Sequence, residues 1–323
     1  MVDDCRKVLR LINSRCSLPS VYAACHATLN ARMQAENMYV SLVEGDGVRF
    51  PYYVDVSAVE DSLIVYPREG WTAYVLDSAN RYWLSVDPTP PVGVTPIGSL
   101  PSDYIGMPML NRDGLPLGVL AVQTYVPGGR YSDDDLAFVE CVADALSLAV
   151  QLANQERELA IRRIASLLDE TVDIKDLYSR IHEVMQGVIP AARRNIVIAK
   201  VDASAGLFRP VYWRDEKDDF DTMPWTLDSG LCGYIYNHCK ASFIFESGKT
   251  PLPPDVRKIG YPSKYWLGAP LYGRDRITGI VVIQSYDEDD VITKEDQYTL
   301  DGICPYIAAV IGETELFHRS RCP

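Results

Sequence analysis

The stretch YIGMPMLNRDGLPLGVLAVQTY, residues 104–125, recurs in the second half of the chain as WLGAPLYGRDRITGIVVIQSY, residues 266–286. The aligned pairs are Gly106 and Gly268, Pro108 and Pro270, Gln123 and Gln284, and Tyr125 and Tyr286. The offset falls from 162 to 161 residues across these pairs, as a turn that is one residue shorter would produce. Two copies of such length indicate a duplicated structural unit.

The repeat extends upstream through most of each half of the chain. Further aligned pairs are Asn37 and Asn195, Phe50 and Phe208, Gly70 and Gly230, and Tyr74 and Tyr234. A chain of 323 residues suits two domains of about 150 residues each. We predict a first domain over residues 1–150, a linking helix over 151–170 and a second domain over 171–323.

Periodicity predicts the same order of elements in each unit. An amphipathic helix, at 21–33 or 177–188, precedes two alternating strands, and a short helix then leads into another strand. The quoted stretches follow as hairpins, and each unit closes with a helix. The predicted fold class is α/β of the α+β type.

Both closing helices begin with a pattern close to a capping box, Ser132 to Asp135 and Thr293 to Asp296. Residues 134–169 contain no Gly and no Pro, so we predict one long helix joining the copies. Its apolar stripe is Val139, Val142, Leu146, Ala149, Ala153, Ala160, Ile164 and Leu167. This stripe could pack against the sheet of each domain or against the same helix of a second chain. We predict that it forms a homodimer.

Composition excludes several classes of partner. The chain has 31 basic and 44 acidic residues, a net charge of −13 (31 − 44), which disfavours nucleic acid and anionic lipid. We see no signal peptide and no apolar run of about 20 residues, so we predict a cytoplasmic protein without a membrane span. The eight cysteines, at 5, 16, 25, 141, 232, 239, 304 and 322, show no CxxC pair and are predicted to be mostly reduced thiols.

The repeated string resembles the C-terminal half of a GAF domain, and its upstream parts resemble the rest of that domain. Copy one carries it as Gly106, Pro108, Gly118-Val119-Leu120, Gln123-Thr124-Tyr125 and Tyr131-Ser132-Asp133-Asp134-Asp135. Copy two carries it as Gly268, Pro270, Gly279-Ile280-Val281, Gln284-Ser285-Tyr286 and Thr293-Lys294-Glu295-Asp296. The chain most resembles the tandem GAF modules that precede diguanylate cyclase (GGDEF) or histidine kinase domains in bacterial signalling proteins.

This resemblance implies, in each domain, a central antiparallel sheet of about six strands, with helices on one face and a small-molecule pocket on the other. We expect the pocket of copy one to be lined by Tyr39, Tyr53, Trp71, Tyr74, Trp83, Tyr104 and Gln123. We expect the pocket of copy two to be lined by Trp213, Cys232, Tyr234, Tyr236, Phe243, Tyr265, Trp266 and Gln284. Any one of these rings could instead only fill the core. No cofactor or metal is predicted, although an unknown small molecule is the expected partner.

The sequence lacks the motifs by which several known GAF domains bind their ligands or catalyse reactions. Neither copy has the Asn-Lys pair of cyclic-nucleotide-binding relatives, and Cys25-His26 and His238-Cys239 are poor matches to a bilin attachment site. Residues 246–250 imitate a phosphate-binding loop but lack its first glycine and precede Pro251. No catalytic motif is present, and the cysteines do not reproduce the cluster of GAF-type methionine sulfoxide reductases, so we predict no enzyme.

Three hypotheses remain for the function. The first is a sensory protein in which a ligand orders the Gly70 or Gly230 cover segment and the change passes through the connecting helices to an output domain or partner outside this chain. The second is a tandem GAF dimerisation scaffold that binds no ligand. The third is a redox sensor that uses Cys232 and Cys239.

Overall fold

The computed structural model describes residues 6, 8, 10, 16–56, 62–89, 91–168, 173–218, 223–254, 256–257 and 259–321, without the side chains of 175 and 317–321. Cys5, Cys322, the predicted helix end at Asp169 and the side chain of His318 lie outside this description. The chain divides into two compact units, Met1–Asn154 and Gln155–Pro323.

The first domain is built around one six-stranded antiparallel sheet. Its elements are α1 (Leu18–Asn30), β1 (Asn37–Glu44), β2 (Gly47–Val54), β3 (Val65–Pro67), α2 (Gly70–Ser78), β4 (Tyr82–Trp83), β5 (Asp103–Leu110), β6 (Pro116–Thr124) and the start of α3 (Asp133–Ser166). The strand order is β3-β2-β1-β6-β5-β4. The predicted hairpins β1–β2 and β5–β6 are both present.

The second domain repeats this topology. Its elements are α4 (Ile174–Val188), a 3₁₀ turn (Pro190–Arg193), β7 (Ile196–Asp202), β8 (Leu207–Arg214), β9 (Trp225–Thr226), α5 (Gly230–Tyr234), a π-helical turn (Ile235–Cys239), β10 (Phe243–Glu246), β11 (Tyr265–Gly273), β12 (Arg276–Ser285) and α6 (Lys294–Arg321). The order β10-β11-β12-β7-β8-β9 is that of the first sheet read from the other edge. The predicted fold class is confirmed.

Each sheet has an apolar core on both faces, because side chains along a strand alternate between faces. In the first domain Met38 and Val40 pack with α1 and α3, whereas Tyr39 between them packs on the other face with α2. In the second domain Ile196 and Ile198 face the long helices and Val197 faces α5. The second face of each sheet is thus covered by short elements only.

The capping boxes at the starts of α3 and α6 are present as predicted. Ser132 N donates to Asp135 Oδ2 at 2.9 Å and Asp135 N donates back to Ser132 Oγ at 3.2 Å. Thr293 and Asp296 repeat the pair at 2.6 and 3.2 Å. Reciprocal bonds of this kind satisfy backbone donors that the first helical turn leaves unpaired.

The stripe predicted on α3 is divided between two cores. Val139, Val142 and Leu146 are buried in the first domain, and Ala160 and Ile164 are buried in the second. By length and composition alone α3 could cross a membrane, since an 18-residue window has a mean hydropathy of 1.7; half of that window is buried. The sequence analysis identified no such segment, yet core helices commonly meet the same criterion, so this window by itself does not indicate a span.

A histidine–tyrosine pair joins the first helix of each domain to its second strand. His26 lies 2.8 Å from Tyr52 Oη through Nδ1 and 2.7 Å from the Ala35 carbonyl through Nε2. His182 repeats the arrangement at 2.7 Å from Tyr212 Oη and 2.8 Å from the Ala192 carbonyl. Because a carbonyl only accepts, Nε2 carries the proton in both pairs.

The cysteines depart in one respect from the prediction of mostly reduced thiols. Among the described residues, five cysteines are thiols outside any disulfide: Cys16, Cys25, Cys232, Cys239 and Cys304. Cys141 on α3 is disulfide-bonded. Spacing could not reveal this bond, because a disulfide depends on the approach of two Cβ atoms in space.

Candidate functional site

In each domain the face of the sheet opposite the long helices carries a cavity under a short cover helix. The cover helices, α2 and α5, begin at Gly70 and Gly230, whose φ angles are +63° and +62°. This left-handed backbone is costly for residues with a Cβ, which explains a glycine at the same place in both copies. Both domains therefore enter the cover helix through the same left-handed glycine turn.

The cavity of the second domain has a volume of about 280 Å³. Its walls are mainly aromatic and aliphatic, with a few polar side chains. The lining residues are Val197, Trp213, Asp218, Met223, Pro224, Trp225, Ser229, Gly230, Leu231, Cys232, Phe245, Ile259, Gly260, Tyr261, Pro262, Ser263, Trp266, Val282 and Gln284. An apolar cavity with few, convergent polar groups is typical of a small-molecule site.

One polar network at this cavity centres on Gln284. Its Nε2 donates to Asp215 Oδ2 and lies 2.8 Å from Tyr286 Oη. Tyr286 Oη in turn donates to Asp215 Oδ1 at 2.7 Å. Burial and the neighbouring Asp215 carboxylate raise the pKa of Tyr286, so the phenol stays protonated as a donor.

The first domain contains the same network at its own cavity. Gln123 Nε2 donates to Asp55 Oδ2 and lies 3.2 Å from Tyr125 Oη, which donates to Asp55 Oδ2 at 3.1 Å. Asn37 and Asn195 each accept a backbone N–H from the residue after the aspartate, Val56 N and Glu216 N, at 2.9 and 2.8 Å. The glutamine of the repeated motif is thus held by an aspartate that the quoted stretches do not include.

The cavity of the first domain, about 230 Å³, is more polar. A chain of hydroxyls crosses it, with Tyr39 Oη 2.8 Å from Thr72 Oγ1 and 2.9 Å from Tyr104 Oη. Burial raises the pKa of both tyrosines, so these hydroxyls remain neutral. The lining residues are Tyr39, Val48, Phe50, Tyr53, Tyr66, Pro67, Glu69, Gly70, Trp71, Thr72, Pro96, Ile97, Gly98, Ser99, Tyr104, Gln123 and Tyr125.

The hydroxyl chain has no counterpart in the second domain. Strand register and position on the cover helix place Val197, Cys232 and Trp266 where the first domain has Tyr39, Thr72 and Tyr104. All three line the second cavity. The duplicated cavities have therefore diverged, one toward an internally bonded polar interior and the other toward an aromatic one.

Nine of the residues expected at a pocket line one of these two cavities. They are Tyr39, Tyr53, Trp71, Tyr104 and Gln123 in the first domain, and Trp213, Cys232, Trp266 and Gln284 in the second. The expected residues that line neither of them are Tyr74, Trp83, Tyr234, Tyr236, Phe243 and Tyr265. Of these, Tyr236 lines a separate cavity of the second domain, beside Lys200 and Tyr272.

Strand alternation explains two of the differences. Tyr265 and Trp266 are adjacent in β11, so they lie on opposite faces, and Tyr265 packs in the core with the long helices. Trp83 is likewise buried on the helix side, where its Nε1 donates to Asp103 Oδ2 at 3.2 Å. Its neighbour Tyr82, which the sequence analysis did not select, lies on the cavity face instead.

The other four aromatic residues pack around the cover segments. Tyr74 contacts the ring of Tyr82 at 5.8 Å between centroids. Tyr234 lies 5.9 Å from His238 and 5.4 Å from Phe243, so these rings pack on one another. Tyr236 packs against Phe208 at 5.9 Å.

Several residues that line the second cavity were not predicted from the sequence. Asp218, Trp225 and Phe245 line it, and Asp215 lies behind Gln284. The turn between β7 and β8 is two residues longer than the turn between β1 and β2, so the offset changes from 158 residues in the first strand to 160 in the second. The register therefore places Phe208 where the first domain has Val48, not Phe50 as the alignment predicted, and it places Asp215 where the first domain has Asp55. A search allowing that shift would have found the repeated aspartate.

The cysteine and loop hypotheses can be placed on the structure. Burial raises the pKa of Cys232 to about 12, whereas Cys239 does not line the cavity. Residues 246–250 form a turn in which Thr250 N donates to the Glu246 carbonyl and Lys249 pairs with Glu246 at 2.9 Å. Within the described residues no group of three or more His, Cys, Asp or Glu side chains could hold a metal ion.

The family model of the GAF domain matches residues 17–150. No curated protein matches the chain significantly. Among solved structures, the GAF domain of an Acinetobacter phosphoenolpyruvate-protein phosphotransferase is similar at 18% identity and a TM-score of 0.41, covering 48% of this chain and 94% of that one.

Two further solved structures are similar at comparable levels. Free methionine-R-sulfoxide reductase from Neisseria meningitidis, in complex with its substrate, is 15% identical with a TM-score of 0.41 and covers 51% of this chain and 93% of that one. A putative GAF sensor protein from Burkholderia vietnamiensis is 17% identical with a TM-score of 0.37 and covers 45% and 90%. Residues 17–150 thus match the model of the GAF domain family, and the second six-stranded sheet repeats the strand topology of the first.

Proposed function

We propose that this chain is a cytoplasmic, non-catalytic sensory or regulatory protein of a bacterial signalling system, and that a small molecule binds in the cavity of the second domain. The single observation that carries the proposal is that cavity of about 280 Å³, with aromatic walls and Gln284 held at its edge. GAF domains typically bind small molecules. A cavity bounded by a short cover helix is suited to a ligand that orders the cover.

A chain of hydrogen bonds supports a route from this cavity to the last helix. The cover, α5 with its π-helical turn, leads directly into Ser242. Ser242 Oγ donates to Asp301 Oδ2 of α6 at 2.7 Å, and Gln297 Nε2 of α6 donates to Ser242 at 2.8 Å. Movement of the cover would therefore change the position or bonding of α6, from which an output domain or partner would receive the signal.

The experiment that tests the proposal is native mass spectrometry of the protein purified from its own host, with an absorption spectrum of the same sample. We expect one small molecule per chain, lost on substitution of Trp266 by alanine. Protein that is empty as purified and shows no thermal shift with a metabolite library would contradict the proposal.

A second candidate function, a structural role, is favoured by one observation in the first domain. There the hydroxyls of Tyr39, Thr72 and Tyr104 bond to one another inside the cavity. A ligand would have to break or replace these bonds, at a cost comparable to that of an unpaired buried hydroxyl. We propose that the first domain serves mainly as scaffold, and that redox sensing is the weaker hypothesis because the high pKa of Cys232 suppresses its reactive thiolate.

We also propose that the chain is a homodimer through α3. Apart from Ala153, the predicted stripe is buried within the two domains. The surface left for a second chain therefore includes the exposed side chains of Leu152 and Leu159, 43% and 58% accessible. Light scattering of the protein and of Leu152→Glu and Leu159→Glu should show a dimer that dissociates in the variants. If the unsubstituted protein is a monomer in solution, the dimer proposal is wrong.

A further inference from the structure

The amide of Gln284 is oriented by its neighbours, and this orientation decides which atom a ligand meets. Asp215 Oδ1 accepts from Lys217 N and Asp218 N, both at 2.9 Å, and from Tyr286 Oη at 2.7 Å. Its Oδ2 accepts from Gln284 Nε2. Since a carboxylate only accepts, the glutamine must turn its NH₂ toward Asp215.

The other atom of this amide is left to the cavity. Gln284 is 9% exposed and lines the cavity, and its Oε1 accepts no hydrogen bond from the described residues. A ligand that donates an N–H or O–H to this oxygen would gain a hydrogen bond there.

The electrostatic environment favours a positive ligand. The described lining residues include the carboxylate of Asp218 and no Lys, Arg or His. Asp218 Oδ1 accepts from Tyr261 N at 2.6 Å, which holds the side chain at the cavity wall. Burial raises the pKa of Asp218, and a cation beside it would offset that effect.

The aromatic walls act in the same direction. Trp213 and Trp225 pack edge to face at 6.3 Å between ring centroids, and Trp266 and Phe245 complete this part of the lining. Tryptophan is the strongest partner in cation–π interactions, which gain strength when the cation is removed from water.

Building on the proposed small-molecule function, we propose that the second cavity binds an organic cation: a protonated amine on an apolar body, which donates to Gln284 Oε1 and places its charge between Asp218 and the tryptophans. The first cavity, with its bonded hydroxyls and with Tyr39 and Tyr104 in place of Val197 and Trp266, is not the site for this ligand. Anionic ligands are excluded from the second cavity by charge.

The test uses three ligands of nearly the same shape and different charge, titrated calorimetrically into the full chain. They are tryptamine as the cation, tryptophol as the neutral probe and indole-3-acetate as the anion. We expect tryptamine to bind at least about tenfold more tightly than tryptophol, and indole-3-acetate not to bind.

Two conservative variants and one control locate the effect. Asp218→Asn retains an acceptor for Tyr261 N but removes the charge, and should weaken tryptamine about tenfold without changing tryptophol. Trp225→Phe should reduce the preference for tryptamine by a smaller factor, because phenylalanine is a weaker cation–π partner. Asp289→Asn, an exposed carboxylate of the same domain, should change neither.

The outcomes distinguish this inference from the proposed function. Equal affinity for the three probes, tighter binding of the anion, or no binding of tryptamine at millimolar concentration would overturn the organic-cation site. An anionic or neutral molecule found in the native mass spectrum would also overturn it, while leaving the small-molecule function in place. Only an empty cavity that responds to no ligand would remove both.

Discussion

Gly106 and Gly268 lie beneath the aromatic ring two residues before them, in strands β5 and β11. A Cβ added at Gly268 would overlap the ring of Trp266, and one added at Gly106 would overlap Tyr104. The glycines therefore let a cavity-lining ring lie flat along its strand. This close contact explains why both copies keep glycine although the aromatic residue differs.

Gly268→Ala should destabilise the second domain by about 1–3 kcal/mol, because a side chain in a packed site forces the Trp266 ring to move. Denaturant titration followed by tryptophan fluorescence measures the change. Gly187→Ala is the control: it lies in helix α4 with no atom within 4 Å of the new Cβ, and should stabilise by up to about 1 kcal/mol. Equal stability of Gly268→Ala and the parent would contradict the overlap.

His182 should make the stability of the second domain depend on pH. Burial lowers its pKa in the folded protein below the ordinary value of 6.5, so the unfolded chain binds the proton more readily. The stabilising contribution is therefore complete above pH 6.5 and is lost as pH falls from there toward the folded pKa.

His182→Gln, which offers both a donor and an acceptor, should flatten the dependence of the free energy of unfolding on pH below the ordinary histidine pKa of 6.5. Urea titrations at several pH values provide the measurement. An unchanged slope would mean that another group is responsible.

Among the elements, α6 depends on its first turn, because that helix packs on β11 in the core of the second domain. Thr293→Ala removes the side chain that accepts from Asp296 N at 3.2 Å, and should cost about 1 kcal/mol of unfolding free energy. Thr293→Ser retains the hydroxyl and should cost only a few tenths. Ser132→Ala should lower the free energy of unfolding by a similar amount through loss of the cap of α3. Thermal melts of the three variants measure these changes. Alanine variants as stable as the parent protein would contradict a stabilising role for the caps.

Within a single strand, the sequence does not show which face of the sheet each side chain lies on. The aromatic positions Trp83 and Tyr265 match the composition of a pocket wall, yet each faces the helices. Periodicity identifies a strand but gives no absolute phase when both faces are apolar, as they are in these sheets. The cavity residues were therefore predicted in part, and the rest required the observed register.

At the scale of the whole molecule, the two domains have separate apolar cores. Leu146, fully buried in the core of the first domain, and Leu177, fully buried in that of the second, are matched in chemistry and burial. Leu146→Ala should lower the free energy of unfolding mainly of the first domain, and Leu177→Ala mainly that of the second, each by about 2–5 kcal/mol. Calorimetry would show this as a lower melting temperature for the transition of that domain. Parallel loss of both transitions in either variant would indicate a single cooperative unit.

The sequence alone determined the duplication, the α+β class, the order of strands and helices, the capping boxes and the glutamine that recurs at both cavities. These features are local or repeated, so periodicity and alignment of the two halves reveal them. The three-dimensional structure was needed to show which rings line a cavity, that Asp215 orients Gln284, and that Asp218 and Trp225 complete the second site. Those properties depend on contacts between residues distant in the chain, whose geometry is set by strand register and loop packing.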